Sequence, residues 1–184
     1  PCFLYRQPET ISLAAGKLSS NTVDEVVMSA ELVTKDGVNE VSSLLIPLHD
    51  KQLLLPNVTV AEIIPFRAPT ALAEQSGWLL GQLEWRNIDI PVISYEALSG
   101  GALPPTEGAR LAVVNGTGAK SSLPFYAILI QGIPKLTHVK EDDIVKVDAM
   151  HSGPYDQVAV SVYDEQAMIP NLEMIENELL KYVG

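Results

Sequence analysis

The sequence predicts a mostly β fold, on three observations. From Ser42 onward, short apolar runs recur at close spacing between turn-forming residues. The segment Trp78 to Leu98, WLLGQLEWRNIDIPVISYEAL, reads as a strand pair with a preset turn. Sustained helical periodicity is found only in the tail after Pro170. Short strands at this spacing fit small barrels or a sandwich, and periodicity does not choose between them.

Taken in order, the elements justify that class. Met28 is followed by SAELVTKDGVNEVSS, a solvated lead-in to a first strand. Residues 1–27 are therefore expected to be an upstream extension, within an N-terminal extension over 1–41. Protection of 1–27 from limited proteolysis would remove that expectation. Leu44, Leu45, Ile46 and Leu48 make a first strand, His49-Asp50-Lys51 a polar turn, and Gln52 to Leu55 the return. Pro56-Asn57 breaks the strand, and Val58 to Ile64 fits either a helical turn or a strand. Pro65 to Gly77 is a loop with a short helical stretch at Thr70 to Gln75.

In the Trp78–Leu98 hairpin, Leu79, Gly81, Leu83 and Trp85 share one parity. Arg86, Asn87 and Asp89 mark the turn, and Pro91 interrupts the second apolar run. Proline lacks a ladder donor, so Pro91 is expected at an edge or a bulge. Ser99 to Gly108, SGGALPPTEG, is the clearest punctuation in the chain and reads as a surface loop. Beyond it, Arg110 to Val114 is a strand and Asn115 to Ser122 a Gly/Ser-rich turn. Phe125 to Gln131 is almost wholly apolar and so buried on both faces. Gly132 to Val139, Asp142 to Val147 and Gln157 to Tyr163 complete the strands. In the tail, Leu172, Ile175, Leu179, Tyr182 and Val183 recur at helical spacing, opposite Glu173, Glu176, Asn177, Glu178 and Lys181. Asn171 suits the N-cap, and Glu173 suits the positive end of the helix.

Composition narrows the function classes. The chain of 184 residues is 47% hydrophobic and 19% charged, enough for one domain or two small packed ones. A net charge of −11 disfavours nucleic acid and anionic lipid, both of which need a basic footprint. The single cysteine, Cys2, permits no internal disulfide, which fits a reducing cytoplasm. No apolar run approaches the length of a membrane span, and PCFLYRQPETISLAAGK lacks the basic-then-apolar pattern of a secretory signal.

Catalytic motifs fare poorly. His49, His138 and His151 have no second His or Cys at ligand spacing, so no metal site is expected. No G-x-S-x-G elbow occurs, and Ser99-Gly100-Gly101 precedes no helical pattern. Asn115-Gly116-Thr117-Gly118 lies between strands and lacks the Lys-Ser register of a phosphate loop, and Lys120 does not supply it. Glu141-Asp142-Asp143 lacks the alternating spacing of a calcium loop and reads as a solvated turn. A carboxylate pair for hydrolysis would be assembled from distant positions, and nothing singles one out.

Three segments carry a family resemblance. Gly81 to Tyr95 resembles the G-x-x-x-[WL]-R-G-x-x-x-P-[VL]-[IL]-[DS]-[FLY] signature of the CheW-like adaptor domain. Leu53 to Ile64 is similar to that family's apolar strand followed by V-x-E-I, here Val60-Ala61-Glu62-Ile63. Arg110 to Val139, with FYAILIQGIPKLTHV, resembles the second-barrel region. The likeness runs from about Ser42 to the C-terminus. Within the family it is greatest to ChpC-type adaptors of the type IV pilus (twitching) chemosensory system, on Trp85-Arg86, Ile90 to Leu98 and Gln131 to Pro134. Two positions depart: Asn87 replaces the usual glycine, and Ser94 stands where many members have Asp. Asn tolerates a left-handed backbone, so the turn is expected to survive.

The resemblance implies two intertwined five-stranded SH3-like barrels with a C-terminal helix. The first barrel is expected over about 42–98, and the second barrel with the helix over about 109–184. It further implies a cytoplasmic adaptor with no catalytic residues, no cofactor and no metal. Such an adaptor bridges a methyl-accepting chemoreceptor's cytoplasmic tip and the regulatory domain of a CheA-type histidine kinase, without nucleic-acid binding or membrane insertion. Val60 matches a receptor-contact position. Glu62 and Arg86 match the family's Glu and Arg and are expected to form an ion pair, whose loss costs roughly 3–5 kcal/mol if it is buried. Structural fixing of two segments is the stronger reading of that pair. Trp85 and Trp78 are candidate interface anchors, although core or barrel-end packing is the commoner role for such aromatics. The alternatives are a double SH3-like barrel module with an unrelated partner and, further off, a small hydrolase. A fusion to a receiver domain is not expected, because no receiver-like βα repeat occurs.

Overall fold

The computed structural model describes residues 40–72, 76–118, 123–148 and 153–183. Residues 1–39 of the expected N-terminal extension, residues 73–75 of the expected helical stretch, the turn residues 119–122 and His151 lie outside the described residues. The strands are β1 (Glu40–Pro47), β2 (Gln52–Pro56), β3 (Val60–Pro65), β4 (Leu79–Trp85), β5 (Ile88–Ile93), β6 (Arg110–Asn115), β7 (Phe125–Ile130), β8 (Lys135–Lys140), β9 (Ile144–Lys146), β10 (Asp156–Val162) and β11 (Glu165–Pro170). Two helices among the described residues, α1 (Tyr95–Leu98) and α2 (Leu172–Val183), accompany them. One sheet runs β8-β1-β2-β11-β10-β9 and the other β3-β6-β7-β5-β4. One sheet therefore has the expected five strands, and the other gains the three-residue β9 as a sixth.

The two runs of strands read from the sequence are not the two sheets. β6 and β7 follow the Ser99–Gly108 loop but join β3, β4 and β5. The chain changes sheet after β2, through a 3-10 turn at Asn57–Thr59, and again after β7, through Gln131 to Pro134. Val58 to Ile64 is thus both a helical turn and a strand. Gly132 to Val139, expected as one strand, is a crossing followed by β8.

Packing explains how each sheet curls. Leu83, Trp85, Ile90, Val92, Leu111, Val113 and Leu129 form one apolar cluster, drawn from the five-stranded sheet. Leu45, Leu54, Val139, Val160, Val162 and Ala167 form another, drawn from the six-stranded sheet. A cluster built from one face of one sheet requires that sheet to curl on itself, as in a small barrel. The opposite faces meet in a third core, where Ile46, Leu53 and Leu55 pack with Ile93, Val114 and Ile128, and Ile175 and Leu179 of α2 seal it.

Bulges decide which core a residue joins. The β4–β5 register shifts between Leu79 and Gly81, so Leu79 faces the shared core while Leu83 and Trp85 face their own barrel. The single parity expected for these residues is broken there. Gly81 has a φ of +135°, and a Cβ on it would lie 2.2 Å from the Thr70 carbonyl oxygen. Thr70 exchanges both backbone hydrogen bonds with Gln82 at 2.8 Å, so it is an added strand residue rather than the start of a helix. Those two bonds also explain Pro91. Gln82 points its N–H and C=O away from β5, so the Gln82–Pro91 pair carries no ladder bond. The proline nitrogen faces the β7 side, where pairing begins only at Val92.

The hairpin turn is Arg86-Asn87, with φ of 50° and 64°, the left-handed pair that a two-residue connection requires. Asn87 serves this backbone in place of glycine. The hairpin does not continue to Leu98: Ser94 caps α1, its Oγ accepting from Ala97 N at 3.3 Å. Ser and Asp both cap helices in this way. A second left-handed pair, Tyr163-Asp164, turns β10 into β11, a strand whose lack of alternation leaves it without a sequence signal. In α2, Asn171 is the N-cap, accepting from Met174 N at 3.0 Å. Glu176, expected on the solvent face, is buried, where it accepts from Thr117 N at 2.8 Å and Thr117 Oγ1 at 2.7 Å.

Polar bonds also fasten one sheet to the other. Tyr95, fully buried, donates its hydroxyl to Asp156. Asp156 also accepts from Gly153 N at 2.7 Å and pairs with Lys51 at 3.4 Å. Burial, and then the bond to Asp156, holds the Tyr95 phenol far above the usual tyrosine range. Folding therefore favours the neutral phenol. That stability is complete below the ordinary tyrosine pKa of about 10 and is lost as pH rises beyond it. Burial, then the Glu176 charge, raises Tyr126 in the same direction.

Two outcomes follow from this packing. Gly81→Ala should lower unfolding free energy by about 2–4 kcal/mol, because it adds a clash and a strained φ; urea melts measure it. Tyr95→Phe should cost about 1–3 kcal/mol near neutral pH by depriving buried Asp156 of a donor. The variant should then lose less stability than the parent between pH 9 and pH 11, as read by thermal melts across roughly that range.

Candidate protein-interaction groove

The 3-10 turn at Asn57–Thr59 delivers Val60 to the start of β3. By simple alternation Val60 and Glu62 would share a face. The β3–β6 register shifts between them: Val60 sits opposite Val114, and Glu62 opposite Val113. Val114 belongs to the shared core and Val113 to the five-stranded barrel. The bulge at Ala61 thus turns Val60 to the inter-sheet side and leaves Glu62 on the barrel side.

On the inter-sheet side the shared core runs out into an open groove of about 430 Å³. Val60, Ile63 and Arg110 supply one wall, and Leu44, Ile133 and Pro134 the other, with Asn57 and Glu62 at its rim. Both chain crossings border it, one through Asn57 and the other through Ile133 and Pro134. Ile133 is 74% exposed and Leu136, opposite Leu44 on β8, is 54% exposed, so apolar surface extends beyond the groove. Val60 and Glu62 are sequence-predicted site residues; Leu44, Arg110, Ile133 and Pro134 join them only in the folded chain. The available signal was an apolar residue, Ile133, between Gly132 and Pro134 in a turn.

Glu62, Trp85 and Arg86 come together beside this groove. Arg86 Nη2 and Trp85 Nε1 each donate to Glu62 Oε2 at 3.0 Å. The guanidinium also lies 4.6 Å from the centre of the Trp85 ring. The side chains of Arg86 and Glu62 are 67% and 39% exposed, so the buried-pair cost does not apply and a surface-pair value does. Trp85 is buried, edge-on to Phe125 at 4.9 Å, so its bulk packs the barrel end while its N–H reaches the rim. Trp78 is elsewhere: it packs edge-on against Tyr182 of α2 at 5.3 Å, fixing the helix to the shared core.

Among the described residues, the other polar clusters are these. Ser42 Oγ lies 3.4 Å from His138 Nδ1, and Glu40 Oε1 lies 3.1 Å from the same nitrogen. A relay needs one partner on each ring nitrogen, so this trio cannot activate the serine. Asp143 accepts from Tyr163 Oη at 2.7 Å and Lys140 N at 3.0 Å, and these bonds hold its carboxyl below the usual range as part of an exposed turn. Buried Glu96 accepts from His49 N at 3.0 Å and Ser94 Oγ at 3.2 Å, a tether between the sheets. Among the described residues no group of three or more His, Cys, Asp or Glu could hold a metal ion.

The family model for the CheW-like domain matches residues 42–178. Among solved structures, the chain is similar to the scaffolding protein TtCheW from Thermoanaerobacter tengcongensis, with a TM-score of 0.60 and 15% identity over 71% of this chain and 88% of that one. A search of curated protein sequences finds no match.

The shared Oε2 makes the cluster asymmetric. Glu62→Ala should cost about 1–2 kcal/mol, since it orphans the Trp85 N–H as well as the guanidinium, whereas Arg86→Ala should cost about 0.5 kcal/mol. Chemical denaturation of both variants, followed by tryptophan fluorescence, measures the difference.

Proposed function

This chain belongs to the CheW-like domain family, and from that premise we propose that it is a non-catalytic coupling scaffold of a chemosensory array. In this reading it joins a chemoreceptor's cytoplasmic tip to the regulatory domain of a CheA-type histidine kinase. The observation that carries the proposal is the groove, where the β3 bulge presents Val60 between the two crossings. An open apolar trough with a polar rim suits a helix laid into it, and the curled sheets on either side keep its walls rigid. The Glu62–Arg86–Trp85 cluster fixes β3 to the β4–β5 turn and so sets the position of the rim.

The finer assignment, a pilus-linked (twitching) system, rests on the likeness of Trp85-Arg86, Ile90 to Leu98 and Gln131 to Pro134 to ChpC-type adaptors. A cytoplasmic site of action belongs to the same proposal. No helix among the described residues is long and apolar enough to cross a membrane.

Calorimetric titration against the kinase regulatory domain and, separately, a receptor-tip helical hairpin tests the function. Saturable binding of both is expected, with micromolar affinity, about −8 kcal/mol, for each. Val60→Arg should abolish tip binding while the variant stays folded. A folded protein that binds neither would be a double-barrel module for an unrelated partner.

A further inference from the structure

Arg110 opens β6 opposite Pro65 on one side and Ile130 on the other. Directly opposed residues share a sheet face, and Ile130 belongs to the shared core, so Arg110 lies on the groove side of its sheet. It lines a groove whose other residues are apolar apart from Asn57 and Glu62. The chain carries 23 acidic residues against 12 lysines and arginines, an excess that should leave few cations unpaired. Arg67 and Arg86 both have partners, to the Glu84 carbonyl and to Glu62. Among the described residues the Arg110 side chain makes no hydrogen bond or ion pair. Glu62, the other charge at the groove, is already engaged by Arg86 and Trp85.

We infer that Arg110 is the specificity-determining cation of this groove, and that the segment docking there is an amphipathic helix with a carboxylate flanked by apolar side chains. The inference rests on the reading of the groove as the receptor-tip site. A guanidinium beside apolar walls offers a planar donor fork in a partly dehydrated setting, where a carboxylate is the best-matched acceptor. The apolar flanks would meet Val60, Ile63 and Ile133. A docked helix fits better than an added strand. β3 is the edge of its sheet, but the bulge at Ala61 and Pro65 at its end interrupt the ladder that a new strand would need.

The test is a charge series at one position, read by calorimetry against the receptor-tip hairpin, each variant first being shown to melt cooperatively. Arg110→Lys should bind within a few-fold of the parent, Arg110→Gln about tenfold more weakly, and Arg110→Glu not measurably. Replacing the tip's acidic residues one at a time by lysine should yield one that restores binding to Arg110→Glu. Loss of binding by Val60→Arg together with unchanged binding by Arg110→Gln would overturn the inference and keep the groove. Equal losses in the Lys and Gln variants would also overturn it, because charge would not be what matters. Tip binding unaffected by Val60→Arg would instead remove the groove reading, and this inference with it.

Discussion

The core shared by the two sheets is the constraint on which the rest of the structure depends. Each sheet curls around a small cluster of its own, but neither interior is large. The third cluster draws on both sheets and on α2, and it contains the largest set of fully buried side chains. Apolar burial at about 25 cal/mol per Å² makes that shared interior the main adhesive between the halves. Because the chain crosses between sheets twice, the six-stranded sheet takes strands from both sides of the continuous β3–β7 segment and cannot be completed until that segment has been laid down. The groove is where this shared interior meets solvent, between the two crossings.

Buried polar groups make the fit of the sheets specific. Asp156, Glu96 and Glu176 are carboxylates with little or no exposure, and each accepts at least two hydrogen bonds, at least one of them from a separate segment. Asp156 and Glu96 link α1 and its cap to the β10 region and the β1–β2 turn. Glu176 holds the loop after β6 against α2. A buried acceptor left without donors is costly, so these bonds penalise any shifted arrangement of the sheets more than they strengthen the correct one. The solvent-exposed pairs, such as Lys135–Glu165 and Lys181–Glu178, contribute far less.

Two single-residue bulges place the functional surface. The one near Leu80 sends Leu79 into the shared core while Trp85 stays in its barrel with its N–H at the rim. The one at Ala61 sends Val60 to the groove and Glu62 to the rim. Neighbouring residues of one short motif therefore take different tasks: an apolar contact, an ion pair and a buried anchor.

The sequence by itself determined the type of most elements, because local chemistry acts within a few residues. Alternating apolar runs, the Arg86-Asn87 turn, the Asn171 cap and the helical period of the tail all specify backbone geometry locally. The signature around Trp85-Arg86 made the family legible, and with it the pairing of Glu62 with Arg86. Only the tertiary structure decided which strands share a sheet, since β6 and β7 cross the most conspicuous loop to pair with earlier strands. It also decided faces wherever a bulge breaks the period of two, as at Leu79 and Val60. Burial of Glu176 follows from Thr117, 59 residues away, supplying donors that helical periodicity cannot foresee. Arg110 and Ile133 came to matter for the same reason: a groove wall is a relation between distant segments, and no window of sequence contains it.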